Sequence, residues 1–289
     1  MPTAKHSPCF IFDNGSLRPE ATQSLRTVAS ALAERIGTTV RPVSLLHSSG
    51  IDPAALEGRP AELLEPALDR FFADGGNEAV LVPLFFGPSA ALTEYVPERL
   101  RALQTRHPQA RVATAGWLVR EEEPGDSRIA RALADQIRAL QRAAGLGTVP
   151  VLLVDHGTPQ RAVTAVRERL GQQVRAELGR EIHCLGTASM ERRAGPDYAF
   201  NEPLLEQALE QAPYNQGNVI IALQFLAPGR HAGAAGDIAT ICAHAEANQP
   251  ELRTQMTATL GAHPLLIEVL AERYHAARDS LLSGSPSQS

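Results

Sequence analysis

Short apolar runs alternate along the chain with longer stretches whose apolar positions recur every three to four residues. In the first half CFIFDN, TTVRPVSLL, AVLVPLFF and RVATAGWL are short and bounded by turn residues, which predicts strands. Between them PEATQSLRTVASALAERIG, PAELLEPALDRFFADGG and TEYVPERLRALQTRHP carry the helical spacing and end near Gly or Pro, which predicts helices. DSRIARALADQIRALQRAAG reads as the last helix of this half, with LGTV as a short linker after it. The second half continues the alternation with VPVLLVD, EIHCLGTAS, NVIIALQFL and RTQMTATL. Strands alternating with helices predict an α/β fold of parallel sheets covered on both faces. Ligands then bind in the crevice beyond the carboxyl ends of the strands.

The two halves are copies. Asn14 in FDNGS matches His156 in VDHGT at an offset of 142, and Pro88 matches Pro228 at 140. His107-Pro108 matches Gln249-Pro250 at 142, and Gly116 in ATAGWL is paired with Gly261 in TATLGA at 145. Anchors in the same order at nearly one offset predict a tandem duplication. The boundary is set near residue 146, giving lobes 1–146 and 147–283, with SGSPSQS at 283–289 low in complexity and its residues 284–289 expected as a disordered tail.

Composition narrows the function classes. At 44% hydrophobic and 20% charged, the 289 residues are those of an ordinary globular protein. A formal charge of -5 gives no general reason to expect nucleic-acid binding, so an anionic partner would need local arginines. Cys9, Cys184 and Cys242 are far apart and form no metal-binding pair. They read as reduced, mostly buried thiols in a cytoplasmic protein. MPTAKHSPCFIFDNGS holds only a short apolar stretch, so no secretory signal is expected, and no window approaches the length of a membrane span.

In the second copy three polar groups fall just past strand ends: His156 after VLLVD, Glu191 after CLGTASM and His231 after QFLAPGR. Two imidazoles and a carboxylate form a credible divalent-metal set with positions left open on the ion. Each residue alone reads more readily as a capping or turn residue. Their joint position at strand ends of one half favours chemistry. Pairing SLLHSS with ASMERR and GPSAAL with PGRHAG puts Asn14, His47 and Ala91 at the equivalent points of the first copy, which therefore lacks the imidazole pair.

VLLVDHGTP, ASMERR, QFLAPGRHAGAAGDI and LGAHPLL resemble the sirohydrochlorin ferrochelatase and cobaltochelatase family, the class II chelatases of siroheme and cobalamin synthesis. The resemblance implies two parallel-sheet lobes facing a cleft. It implies that His156, His231 and Glu191 handle the metal, although in two-domain bacterial members the ligands usually lie in the first half. Iron or cobalt would be a substrate, and no permanently bound cofactor is expected. The tetrapyrrole substrate carries eight carboxylates, for which Arg230, Arg192 and Arg193 are the candidate partners, with Gly229 and Gly233 allowing close approach of a flat macrocycle. Neutral histidine, with an ordinary pKa of about 6.5, can bind a metal or accept a pyrrole proton. The internal duplication points to a monomer. A non-catalytic tetrapyrrole or metal carrier is the alternative, and a metal-dependent hydrolase is weaker because no HExxH motif is present.

Overall fold

The computed structural model describes residues 7–283. Among them β1 (Cys9–Asp13), β2 (Val40–Ser44), β3 (Glu78–Pro83) and β4 (Arg111–Thr114) form a parallel sheet in the order β2-β1-β3-β4. A second parallel sheet holds β5 (Val151–Asp155), β6 (Leu185–Ser189), β7 (Gly217–Leu223) and β8 (Leu252–Met256) in the order β6-β5-β7-β8. The strand order is the same in both, as the duplication predicts. All five residues of β5, VLLVD, are buried, as a strand covered on both faces must be.

The helices are α1 (Pro19–Ile36), α2 (Leu64–Ala73), α3 (Val96–Arg106), α4 (Arg128–Ala144), α5 (Arg161–Leu178), α6 (Leu205–Ala208), α7 (Asp237–Asn248) and α8 (Pro264–Ser283). Local chemistry sets their ends. Pro19 opens α1, where its missing N–H costs nothing, and Gly37 closes it at φ 67 with its N–H on the Ala33 carbonyl. Gly145 closes α4 in the same left-handed conformation. None of the described helices is long and apolar enough to cross a membrane.

The expected boundary at 146 is not where the packing divides. Residues up to Arg120 and those from Leu266 onward form one compact unit, and Glu121–Leu265 form the other. Thus α4, which ends the first copy in sequence, packs in the second unit. Its Arg138 donates to Glu181 at 2.7 Å, and its Gln141 donates to the Glu181 carbonyl at 3.0 Å. Conversely α8, which ends the second copy, packs in the first unit: the Tyr274 hydroxyl donates to the Ser7 carbonyl at 3.2 Å and Arg273 donates to the Trp117 carbonyl at 3.3 Å. The physical reason is that an amphipathic helix specifies an apolar stripe but not which sheet receives it. The expected tail at 284–289 lies outside the described residues.

This exchange is testable because Trp117 is the single tryptophan and lies in the first unit. Leu270→Ala in α8 removes a fully buried side chain from that unit and is expected to destabilise it by about 2–5 kcal/mol, lowering the tryptophan-detected unfolding midpoint. Leu133→Ala in α4 is expected to leave that transition in place and to lower the midpoint followed by far-ultraviolet circular dichroism. A tryptophan transition sensitive to Leu133 and indifferent to Leu270 would return both helices to their sequence copies.

Candidate active site

Both sheets finish in the same way. The first strand ends in an aspartate, Asp13 or Asp155, and the neighbouring strand sets a serine opposite it, Ser44 or Ser189. Two residues on, Gly15 and Gly157 adopt φ 90 and φ 91. A Cβ at either would stand 1.8 Å from a carbonyl oxygen, that of Leu46 or Glu191 respectively, so only glycine fits. Beyond the strands the two backbones stay paired. The Leu46 N–H donates to the Asn14 carbonyl at 3.2 Å, and the Glu191 N–H donates to the His156 carbonyl at 3.1 Å.

This register corrects two of the expected pairings. The counterpart of Glu191 is Leu46, not His47, because alignment of the Ser44 and Ser189 partners shifts the second strand by one residue. His47, at φ 65, instead corresponds to Arg192. On the fourth strands the Ala115 and Thr257 N–H groups donate to the Leu81 and Ile221 carbonyls, so Gly261 corresponds to Val119 rather than Gly116. Ala91 does correspond to His231, since the Leu84 and Gln224 N–H groups donate to Phe12 and Val154 and hold the offset of 140. The first copy therefore carries Asn14, Leu46 and Ala91 where the second carries His156, Glu191 and His231.

In the second unit His156 lies against both of the others. The rings of His156 and His231 lie 4.6 Å apart at an interplanar angle of 75°. His156 Nε2 is 3.5 Å from Glu191 Oε1. Two ligands each about 2.1 Å from a tetrahedral ion stand about 3.4 Å apart, so this imidazole and carboxylate are spaced to share one. His156 Nδ1 is 3.0 Å from the Gly157 carbonyl, which can only accept, so in the neutral ring that nitrogen holds the proton and Nε2 has the lone pair. Among the described residues no three His, Cys, Asp or Glu side chains already close around one point as a metal cage.

His156 is held by a buried polar scaffold with no hint in its own motif. Asp155 Oδ1 accepts from the Ser189 hydroxyl at 2.7 Å and the Gly157 N–H at 3.1 Å, and it lies 3.5 Å from Arg167 Nη1. Arg167, 1% exposed, also donates to Ser189, to the Asn201 carbonyl at 3.0 Å and to Glu168 at 2.9 Å. The Asn201 side chain accepts from the Thr158 N–H and donates to the Thr158 carbonyl, both at 2.9 Å. Burial pushes the Asp155 carboxyl up, and the Arg167 charge and the Ser189 hydrogen bond oppose it. In the first copy the place of Arg167, six residues into the helix, is taken by the buried Leu25. Among the described residues Asp13 then has no paired cation and its Oδ1 no hydrogen-bond partner, and burial raises its pKa to about 6 against the hydrogen bonds of Ser44 and Gly15.

The candidate substrate contacts fare unevenly. Arg192 is tied into its own loop, paired with Glu202 at 2.9 Å and donating to the Arg193 and Gly195 carbonyls. Arg193 lies over the Tyr198 ring, 5.8 Å from its centroid. Arg230 is 73% exposed and 3.5 Å from Asp237. Gly229 has open space where a Cβ would be, whereas Gly233 and Gly236 do not: a Cβ at Gly236 would stand 2.6 Å from the His231 carbonyl oxygen. Asp237, absent from the sequence candidates, lies 2.7 Å from His231 Nδ1. An acidic residue opening a helix reads in sequence as a favourable dipole contact, which hides this second contact.

The fold is that of a tandem chelatase-like α/β protein. The CbiX family model matches residues 8–139 and 150–277, and the chain belongs to the CbiX family. Its fold is similar to SirB from Bacillus subtilis with Fe3+ (TM-score 0.66, 14% identity, covering 96% of this chain and 98% of that one). It is also similar to the sirohydrochlorin chelatase SirB from Bacillus subtilis subspecies spizizenii in complex with cobalt (TM-score 0.67, 12% identity, 95% and 97%). A third similar structure is CbiX, described as the terminal enzyme for biosynthesis of siroheme in denitrifying bacteria (TM-score 0.59, 16% identity, 94% and 99%). No curated protein sequence matches the chain.

Two stability outcomes follow from the scaffold. Arg167→Leu leaves Asp155 buried without its cation and is expected to cost about 3–5 kcal/mol in chemical denaturation. Asp13, which among the described residues lacks such a cation, shows its cost through pH. Its folded pKa, about 6, lies above the unfolded value of 3.8, so its ionised form opposes folding and that cost disappears as pH falls from about 6 toward 4. Asp13→Asn is expected to be more stable than the parent at pH 7, on the order of 2 kcal/mol, with the difference shrinking toward pH 4. A stability difference independent of pH would contradict this account.

Proposed function

We propose that this chain inserts a divalent metal, iron or cobalt, into sirohydrochlorin, in siroheme or cobalamin synthesis, at a site in the second copy. The observation that carries the reading is that His156 lies against both His231 and Glu191 past the strand ends, with ring centroids 4.6 Å apart and the carboxylate 3.5 Å from an imidazole nitrogen. The family membership and the similarity of the fold to SirB and CbiX support it.

The reaction exchanges two pyrrole N–H protons of the macrocycle for one divalent ion. It therefore needs ligands that strip water from the metal and let it go again, and a base for the protons. Nε2 of His156 carries a lone pair, and Glu191 adds a hard oxygen beside it, so these two can take the incoming ion. His231 stands against His156 and can share the metal or receive a proton. With the imidazoles 45% and 31% exposed, the pair is open to an incoming ion and to solvent for proton release. Arg230, exposed beside His231, is the arginine best disposed to meet substrate carboxylates, while Arg192 shapes the Glu191 loop. The carrier reading has no observation of its own in its favour.

The test is the absorption spectrum of sirohydrochlorin mixed with the protein and ferrous or cobalt ion. The wild-type protein is expected to convert it to the metallated spectrum faster than the protein-free mixture. His156→Ala and His231→Ala are expected to lower that rate by at least about 100-fold. Asn14→Ala is expected to retain most of it. A wild-type protein that binds the macrocycle and never outpaces the background would replace the chelatase by the carrier.

A further inference from the structure

The loop from Gly229 to Asp237 is wound so tightly that it brings a carboxylate back onto the histidine six residues before it. The Asp237 N–H donates to the Arg230 carbonyl at 3.1 Å and the Ile238 N–H donates to the His231 carbonyl at 3.2 Å, so the first turn of α7 caps the histidine's own backbone. Gly236 permits this closure, because a Cβ there would stand 2.6 Å from the His231 oxygen and 2.8 Å from the Arg230 oxygen. Gly233 makes a similar close approach, 2.9 Å from the Gly229 oxygen. With the turn closed, Asp237 Oδ2 lies 2.7 Å from His231 Nδ1.

We infer that Asp237 is a positioning residue: it fixes the His231 ring and holds the proton on Nδ1, so that the Nε2 lone pair faces the incoming metal alongside His156. A carboxylate can only accept, which assigns the proton to Nδ1. His156 reaches the same tautomer by a different route, through the Gly157 carbonyl. Two unlike partners thus impose one arrangement on both imidazoles, which an unconnected salt bridge would have no reason to do. Orientation by a second partner commonly changes metal affinity by about 10- to 100-fold. A purely local role is the competing explanation, since an acidic residue in a helix's first turn is favourable by itself. That role concerns the helix alone and leaves the imidazole tautomer unchanged.

The inference rests on the chelatase reading, and its test separates the two. In ¹⁵N-labelled protein at a pH near 8.5, where ordinary imidazoles are neutral, one- and two-bond couplings report which ring nitrogen is protonated, and His231→Ala assigns the signal. Wild type is expected to show His231 protonated at Nδ1. Asp237→Ala is expected to move the proton largely to Nε2 and to weaken Co²⁺ binding, followed by the visible absorption of the ion, by about 10- to 100-fold. Asp237→Asn, which keeps an acceptor oxygen, is expected to keep most of the tautomer and lose less affinity. If His231 in Asp237→Ala shows the wild-type tautomer, or Co²⁺ affinity within twofold of wild type, Asp237 serves only the helix and the inference fails. Failure of wild type to metallate sirohydrochlorin, with the tautomer shift still present, would instead remove the proposed reaction and leave the positioning role.

Discussion

One close approach organises the strand ends of both units. The loop after the first strand passes so near the loop after the second that its glycine has a carbonyl oxygen where a Cβ would sit, at 1.8 Å. Contact at that distance ties the residue before the glycine to the residue bearing the carbonyl. In the second unit those residues are His156 and Glu191, which is why two side chains 35 positions apart arrive as a pair. In the first they are Asn14 and Leu46, and the same backbone presents an amide and an exposed apolar side chain. The backbone approach is present in both units, including the one that lacks the imidazoles.

Electrostatics distinguishes the copies beneath that shared backbone. Each loop is shaped by an aspartate, buried in the second unit and partly exposed in the first, that stands opposite a serine and two residues before a glycine. A buried carboxylate is costly unless a cation or several donors compensate it. Arg167 supplies that cation in the second unit and is itself satisfied by Ser189, Asn201 and Glu168. Leu25 occupies its place in the first unit, so the upward push of burial on Asp13 is opposed by hydrogen bonds alone, whereas on Asp155 the Arg167 charge opposes it as well. The unit with the imidazoles thus also has the charge-compensated, doubly clamped loop. Precise placement of side chains requires such support, because a loop free to shift by an ångström would scatter them.

Much was legible in the sequence because it depends on local periodicity and on residue type. Short apolar runs bounded by turn residues yield the strands and period-three-to-four patterns the helices, alternation of the two yields parallel sheets, and an offset near 142 exposes the duplication. His156, Glu191 and His231 stand out because each follows an apolar run, the one place in such a sheet where a polar side chain is directed past the strands. Other features depend on contacts the linear pattern does not encode. SLLHSS and ASMERR can be aligned in two ways, and only pairing with the first strand selects Leu46 over His47. The stripes of α4 and α8 say that they are buried, but the choice of sheet is made by tertiary packing, which gives each helix to the other unit. Arg167 reads as one more helical arginine until its burial is seen, and Asp237 as a helix-opening acid until a glycine turn folds it back onto His231. The sequence by itself determined which chemical groups are available and at which strand ends they stand. Register, helix assignment and the partners that orient the imidazoles were decided only in three dimensions, since each arises from atoms far apart in sequence competing for the same space and the same proton.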